Sequence, residues 1–258
     1  MAPEGHLNRA PSFVVELAVR ESARHEPVSG GVAVLSTDLW GSHEQNRLLL
    51  TEPVPWDVAV AEADRVLGGA GLAHRRVEWL CGRPSEVGGE GWEVTSNVFM
   101  YLDGELDPAF VGDAAAAEVV PFEQVRQALW DDWRVTLPSS SDEIIDHLVD
   151  RRRRTARACD LTWHAVMRDG MAAASCDLRV LDVGAVRMAQ IEDVLTLQAF
   201  RGKGFARAVV SHAIATAQQA GAEVIWLEAE RDDWPRELYS RMGFVVHGPE
   251  VTVATRMR

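Results

Sequence analysis

The chain has 258 residues, 47% apolar and 25% charged, with a formal net charge of −13. That length can bury one large core or two small ones. The charge sets the chain against polyanions, because phosphate neutralisation needs a basic face, so nucleic acid is an unexpected partner and a cationic small molecule a natural one.

Three cysteines, Cys81, Cys159 and Cys176, lack C-x-x-C spacing. Neither a disulfide framework nor a structural zinc site is expected, and the setting reads as a reducing cytoplasm. No run approaches the ~18 apolar residues of a membrane span, and the N-terminus has no apolar leader core. The expectation is a cytoplasmic monomer or homodimer with no membrane partner.

Residues 1–12, with Pro3 and Pro11, are expected to be a disordered lead-in. Apolar positions 13, 14, 17 and 18 predict a helix from Phe13 to His25, ended by Pro27. Gly30-Gly31 leads into a strand at 32–35, and 47–51 is a second strand closed by Pro53 and Pro55. A helix capped by Asp57 runs to Leu67 and stops at Gly68-Gly69. Residues 76–80 and 92–102 read as strands. Residues 13–117 thus form an α/β half, and the acidic, alanine-rich stretch 103–117 is the expected boundary to a second half, 118–258.

That second half has a tighter pattern. Helices are expected at 121–133 and 142–158, with the polar break 137–141 supplying a cap. Arg151–Arg154 lies on the second helix beside Asp142, Glu143, Asp146 and Asp150, and is expected to be a solvated face rather than a nucleic-acid site. A hairpin joins strands 161–167 and 171–178 through 168–170, a further turn covers 181–185, and 188–197 is a third strand. A glycine turn at 201–204 then opens a helix with apolar residues at 206, 209, 210, 213, 214 and 217. A strand at 223–229, a helix at 234–242 and a strand begun by 244–247 complete an α/β chain with a mixed sheet.

The glycine turn carries the chemistry. A strand running into Arg201-Gly-Lys-Gly204-Phe-Ala206-Arg207 and on into a helix gathers unpaired N–H groups, a positive dipole end and cationic side chains, which together make an anion cradle. Arg207 stands where a dinucleotide fingerprint needs its third glycine, and no G-K-[ST] occurs, so neither nucleotide motif applies. What remains is R-x-x-G-x-A, followed thirty residues on by Glu237-Leu-Tyr239-Ser-Arg-Met-Gly243-Phe244.

Over residues 160–258 this pairing resembles the GCN5-related N-acetyltransferase (GNAT) family. The resemblance implies a mixed-sheet acyl-CoA transferase fold with acetyl-CoA as co-substrate, no metal, and an amine acceptor. Backbone groups of Val194, Leu195 and Thr196 would pair with the pantetheine arm. Arg201, Gly202, Lys203, Gly204, Phe205, Ala206 and Arg207 would hold the pyrophosphate. Tyr239 matches the family acid for the departing thiolate. Glu192 and Glu228 match two positions used for a general base, with His164 as a further candidate. Alternation on a strand would place Glu192, Val194 and Thr196 on one face. Asp232 or Asp233 stands where the family often has an asparagine.

The strand–helix–strand order of the first half also resembles part of this fold, as a degenerate copy. Trp56, Trp79, Trp92, His74 and Tyr101 would then either line an acceptor pocket or pack the core. Two rival readings remain: a non-catalytic acyl-CoA-binding or regulatory protein that keeps the cradle, and a transferase on the same fold with an aminoacyl-tRNA donor.

Overall fold

The computed structural model describes residues 8–103 and 110–257. Residues 1–7 of the expected lead-in lie outside that range, and the rest of it is not disordered. Helix α1 spans Ala10–Glu21 and buries Ala10, Phe13, Val14, Leu17 and Ala18. Pro11, placed by its sequence in the lead-in, sits in the first turn, where its missing N–H costs no helical bond. The N–H of Ala10 donates to the Tyr101 hydroxyl at 3.2 Å, fixing the start of the helix on the sheet.

The strands are β1 (Arg24–Val28), β2 (Gly31–Leu35), β3 (Arg47–Leu50), β4 (His74–Trp79), β5 (Trp92–Leu102) and β6 (Glu118–Val120). They continue with β7 (Asp160–Arg168), β8 (Met171–Val183), β9 (Val186–Thr196), β10 (Val224–Glu230) and β11 (Phe244–Met257). The remaining helices are α2 (Trp56–Ala63, prolonged by a π turn to Gly68), α3 (Phe122–Thr136), α4 (Asp142–Asp150), α5 (Arg152–Ala158), α6 (Phe205–Gln219) and α7 (Trp234–Arg241). Among the described residues no helix is long and apolar enough to cross a membrane.

All eleven strands join one mixed sheet in the order β1-β2-β3-β4-β11-β5-β10-β9-β8-β7-β6. The same connectivity occurs twice in it. β3 and β4 are parallel neighbours joined through α2, and β9 and β10 are parallel neighbours joined through α6. Each pair is followed by a long strand that crosses to the other half: β5 lies between β11 and β10, and β11 between β4 and β5. The exchange makes one continuous sheet through both halves.

Strand alternation assigns the layers. On β5, Phe99 and Tyr101 pack with α1, whereas Val98 and Met100 pack with α6. Val94, of the same parity as Val98, packs with the α2 cluster, so α2 and α6 cover one face. On the other face α1 lies beside α5, and α3 with α4 buries Phe122, Val125, Leu129, Ile145 and Val149 against β7 and β8.

Several local expectations need correction. Pro55, not Asp57, occupies the cap position of α2, and Asp57 lies in its first turn. The expected helix 142–158 breaks at Arg151 into α4 and α5. β8 runs on to Val183, so the turn at 181–185 is confined to the Gly184 region, where φ is +62°. β11 continues ten residues beyond His247, to Met257. β1 and β6 were unsignalled; both are sheet edges, and β1 tolerates Pro27 because an edge strand leaves one side unpaired.

Candidate functional site

β9 and β10 pair only from Met188 to Gln190 against Val224 to Trp226. Beyond that point β10 stays with β5 and β9 stays with β8, so the two parallel strands part in a V. Among the described residues no strand pairs with the inner edge of β9 past Gln190. Glu192 and Glu228 stand two residues beyond the last pair, Gln190–Trp226, one on each arm of the V. Both line a cavity of about 300 Å³ on the α1 face. The structure thus brings together the two carboxylates that were alternatives in the sequence.

The expected common face of Glu192, Val194 and Thr196 is not realised. Ser175 pairs with Leu195 and Asp177 with Glu192, so Cys176 faces both Asp193 and Val194: a β-bulge. Asp193 adopts φ +53°, which an aspartate accepts more readily than most residues. The extra residue resets the alternation. Glu192 faces the α1-side cavity, while Val194 packs with the α6 cluster on the opposite face.

Buried arginines hold the bulge. Arg152 ion-pairs with Asp177 at 3.0 Å and with Asp193 at 2.6 Å, Arg179 reaches Asp193 at 3.4 Å, and Arg151 reaches it at 3.6 Å. Burial opposes ionisation of Asp193, but the three guanidinium groups outweigh it and keep this carboxyl below its ordinary range. The expectation that Arg151–Arg154 is a solvated face is therefore corrected. Arg151 and Arg152 are buried at the α4–α5 break, and Arg154 bonds Ser36 and Asp38; Arg153 alone of the four is exposed.

On the other side of the V lies a cleft of about 370 Å³, lined by Val194, Leu195, Thr196, Arg201, Gly202, Gly204, Phe205, Ala206, Arg207, Leu238 and Tyr239. It gathers nearly all of the expected cofactor-binding residues. Gly202 and Gly204 have φ of +76° and +78°, and α6 starts at Gly204 with no side-chain cap and no acidic residue in its first turn. The open N–H groups and the dipole end are thus left for an anion. Lys203 lies over the Phe200 ring at 5.1 Å, and Arg201 donates to the Thr196 carbonyl at 3.2 Å. Arg207 donates to the Phe110 carbonyl and stacks on its ring. None of these three cations ion-pairs with a carboxylate among the described residues.

Tyr239 stands on α7 and is 7% exposed at the cleft. Burial raises its pKa, helped by Cys176 and Glu192, so the phenol holds its proton. It donates no hydrogen bond within the described residues. Asp233 caps α7 by accepting from the Trp234 N–H at 2.7 Å, which accounts for one of the two aspartates in that loop.

The carboxylates across the V are set differently. Burial pushes Glu192 up to about 8, with Asp193, Glu44 and Glu228 adding to it against Arg179. Burial, then Glu78, raises Glu228 to about 7. Their hydrogen-bond donors are neutral amides, Gln190 at 2.6 Å and Asn97 at 2.7 Å, and neither makes an ion pair among the described residues. Nearby, Glu78 binds both Arg47 and Arg76, and Glu44 pairs with Arg151; for Glu44 burial is outweighed by Arg151, Arg47, Arg76 and Arg179, which hold it at about 2. His164 is elsewhere, fully buried against His212 with Nδ1 to Nδ1 at 2.7 Å.

Residues 122–244 match the model of the acetyltransferase (GNAT) family. The second half carries a GNAT domain. Among solved structures, a GCN5-related N-acetyltransferase from Kribbella flavida is 17% identical, with 99% of this chain and 96% of that chain covered at a TM-score of 0.62. A functionally unknown conserved protein from Staphylococcus epidermidis is 11% identical over 90% and 93%, at 0.59. A GNAT-family acetyltransferase from Colwellia psychrerythraea is 12% identical over 100% and 99%, at 0.50. At these identities the likeness is one of fold, and it extends across both halves. No curated protein matches the chain.

Around the GNAT domain, the first half contributes what sequence motifs did not signal. Glu44, Arg47, Arg76, Glu78 and Asn97 all line the cavity that holds Glu192 and Glu228. Phe110 and Gly112 rest on the start of α6, so closely that a Cβ at Gly112 would come within 2.3 Å of the Ala208 nitrogen. In the first half's own copy of the connectivity, Thr51–Pro55 replaces the glycine turn, and Trp56 stacks on Trp79 at 5.6 Å and meets Trp92 edge-on at 5.1 Å. Trp56, the first residue of α2, thus packs with Trp79 and Trp92 in the core beneath that helix, and these tryptophans, like Tyr101, do not line the Glu192 cavity.

Proposed function

We propose that the chain moves an acyl group, acetyl in the first instance, from acyl-CoA to a primary amine of a cationic small molecule by direct attack. The observation that carries this reading is the V between β9 and β10. It separates an uncapped anion cradle on one face from a carboxylate-lined cavity on the other, so a thioester entering from the first would meet an amine in the second.

Residues 202–207 would hold the pyrophosphate through N–H groups, aided by Arg201, Lys203 and Arg207. The free edge of β9 at 194–196 suits pairing with an amide-bearing arm. An acceptor enters as an ammonium ion and meets Glu192 and Glu228, two carboxyls of the cavity wall that no arginine among the described residues neutralises. Glu192 or Glu228, with pKa values near neutrality, takes its proton directly or through water. The freed lone pair then attacks the thioester carbonyl, a backbone N–H of the β9 edge steadies the developing oxyanion, and the C–S bond breaks. Tyr239 gives its proton to the leaving sulfur and is reprotonated by the second proton that the nitrogen sheds as the amide forms, while Glu192 or Glu228 returns the first amine proton to solvent.

The test begins with thermal shift against acetyl-CoA, longer acyl-CoAs and tRNA, since a donor that binds the native state raises Tm. Thiol release is then followed with a panel of amines. Tyr239→Phe is expected to lose about 10²-fold or more in kcat while keeping acetyl-CoA affinity. CoA binding with no turnover in either form would make the chain a binding module, and a tRNA shift without a CoA shift would reject the donor.

A further inference from the structure

A second cavity, of about 550 Å³, adjoins the one that holds Glu192 and Glu228. The two share three wall residues, Glu44, Arg76 and Arg151. Their characters are opposite. The first is walled by carboxylates, guanidinium groups and amides. The second is walled largely by Trp40, Leu72, Trp133, Leu137, Ile144 and Met257, contributed by the 40–44 and 71–76 segments, α3, α4 and the end of β11. Its histidines favour the neutral form: His43 stacks on His74 at 4.0 Å, burial, then His74, lowers His43 to about 4, and burial lowers His74, whose Nε2 bonds the Asn46 carbonyl at 2.9 Å. Trp40 is 42% exposed and edge-on to His147, whose Nδ1 accepts from the Gly41 N–H at 3.2 Å, so the 40–41 segment is tied to α4.

The shared residues are already paired. Glu44 meets Arg151, and Arg76 meets Glu78 of the first cavity's wall, so the boundary between the cavities carries neutralised charge rather than an unmatched ion. A ligand with its amine between Glu192 and Glu228 and its body reaching across this boundary would place apolar surface against the two tryptophans. The 550 Å³ volume lies within the range of pockets that enclose small organic ligands, and exceeds what a short alkylamine can fill.

Resting on the acyl-transfer reading above, we propose that the acceptor is an amphipathic arylalkylamine, its ammonium group in the carboxylate cavity and its aromatic body in the adjoining tryptophan-lined one. Trp40, Trp133 and Leu137 would then set acceptor specificity without touching the reacting atoms.

The test compares phenethylamine and tryptamine with propylamine and spermidine. Binding is read by calorimetry and turnover by thiol release, in the wild type and in Trp40→Ala, a substitution at a half-exposed position. A second variant, Leu137→Gln, repeats the comparison from the α3 side. The arylalkylamines are expected to bind more tightly than propylamine or spermidine. Each variant should weaken them on the order of tenfold or more while leaving acetyl-CoA affinity and the KM for propylamine unchanged. Arylalkylamine binding that is lost in the variants but gives no turnover would keep the two-chamber site and remove the acyl-transfer reading. Turnover that favours spermidine or propylamine, or arylalkylamine binding indifferent to both variants, would overturn the proposal while leaving acyl transfer standing. A dimer that dissociates on Trp40→Ala, with amine binding unchanged, would mark the apolar cavity as a subunit contact and overturn it as well.

Discussion

Replacing Glu192 by glutamine tests whether its carboxyl is held for proton transfer. The folded protein raises this group from 4.5 to about 8, chiefly by burial. At ~1.4 kcal/mol per unit the full shift would be about 5 kcal/mol, a ceiling that water at the cavity mouth and coupling to Asp193 and Glu228 reduce to about 1–3 kcal/mol. The sign follows from the raised value: the native state favours the protonated form. Its stabilising effect is fully present below pH 4.5 and is lost as pH climbs through about 8. Glutamine resembles the protonated form and never ionises. Glu192→Gln should therefore match the wild type in Tm at pH 5 and exceed it by several degrees at pH 8.5, since 1 kcal/mol moves Tm by roughly 2–4 °C at this size. Differential scanning calorimetry at half-unit intervals reads this directly. A Tm difference that stays flat from pH 5 to 8.5 would refute the account of the site, as would a variant less stable at the alkaline end.

The same carboxylates predict a kinetic signature: kcat/KM should rise between pH 6 and 8 in the wild type, and the variant that lacks the base, Glu192→Gln or Glu228→Gln, should lose that limb along with most of its rate. Arg152→Ala removes the nearest cation from both Asp177 and Asp193 at a buried site and leaves them only the longer contacts to Arg179 and Arg151, so urea unfolding should show a loss of ~3–5 kcal/mol. Gly204→Ala forces a methyl into a backbone at φ +78° and within 3.1 Å of the Arg207 guanidinium. A loss of ~1 kcal/mol in stability is expected from the left-handed backbone alone, with a larger loss in acetyl-CoA affinity by calorimetry. Gly112→Ala drives a Cβ into the backbone of Arg207 and Ala208, so it should weaken acetyl-CoA binding from outside the cradle.

The readable parts of the sequence were those whose signals are local. The cradle needed only a strand, two glycines and an amphipathic helix in series, and Ser141 caps α4 as its residue type suggests, its hydroxyl accepting from the Ile144 N–H. What escaped were decisions made by distant neighbours. Arg151 and Arg152 look like any basic helix face until Asp177 and Asp193, on other strands, are seen to draw them inward. The bulge has a faint trace: Ile191-Glu-Asp-Val194 puts two adjacent acids in an apolar strand, and alternation can bury only one of them on a given face. Pro11 read as disorder because nothing in the first twelve residues reveals that Tyr101 waits to accept the Ala10 N–H.

The crossing of β5 and β11 explains why the first half persists without a cradle of its own. β5 lies against β10, which puts Asn97 opposite Glu230 in the ladder and lets its side chain hold Glu228 at 2.7 Å. β11 lies against β4, which brings Arg76 and Glu78 to the same wall. Without these strand pairings the cavity facing the cleft at 194–207 would lose the amide that holds one carboxylate and arginines that balance the others. Stacked tryptophans fill the first half's own copy beneath α2, and Thr51–Pro55 offers no left-handed glycine to open a helix end. That copy is built to pack rather than to bind an anion. One half thus supplies the cradle and the other five of the ten charged residues in the wall facing it, and the two are inseparable because each owns a strand in the middle of the other's sheet.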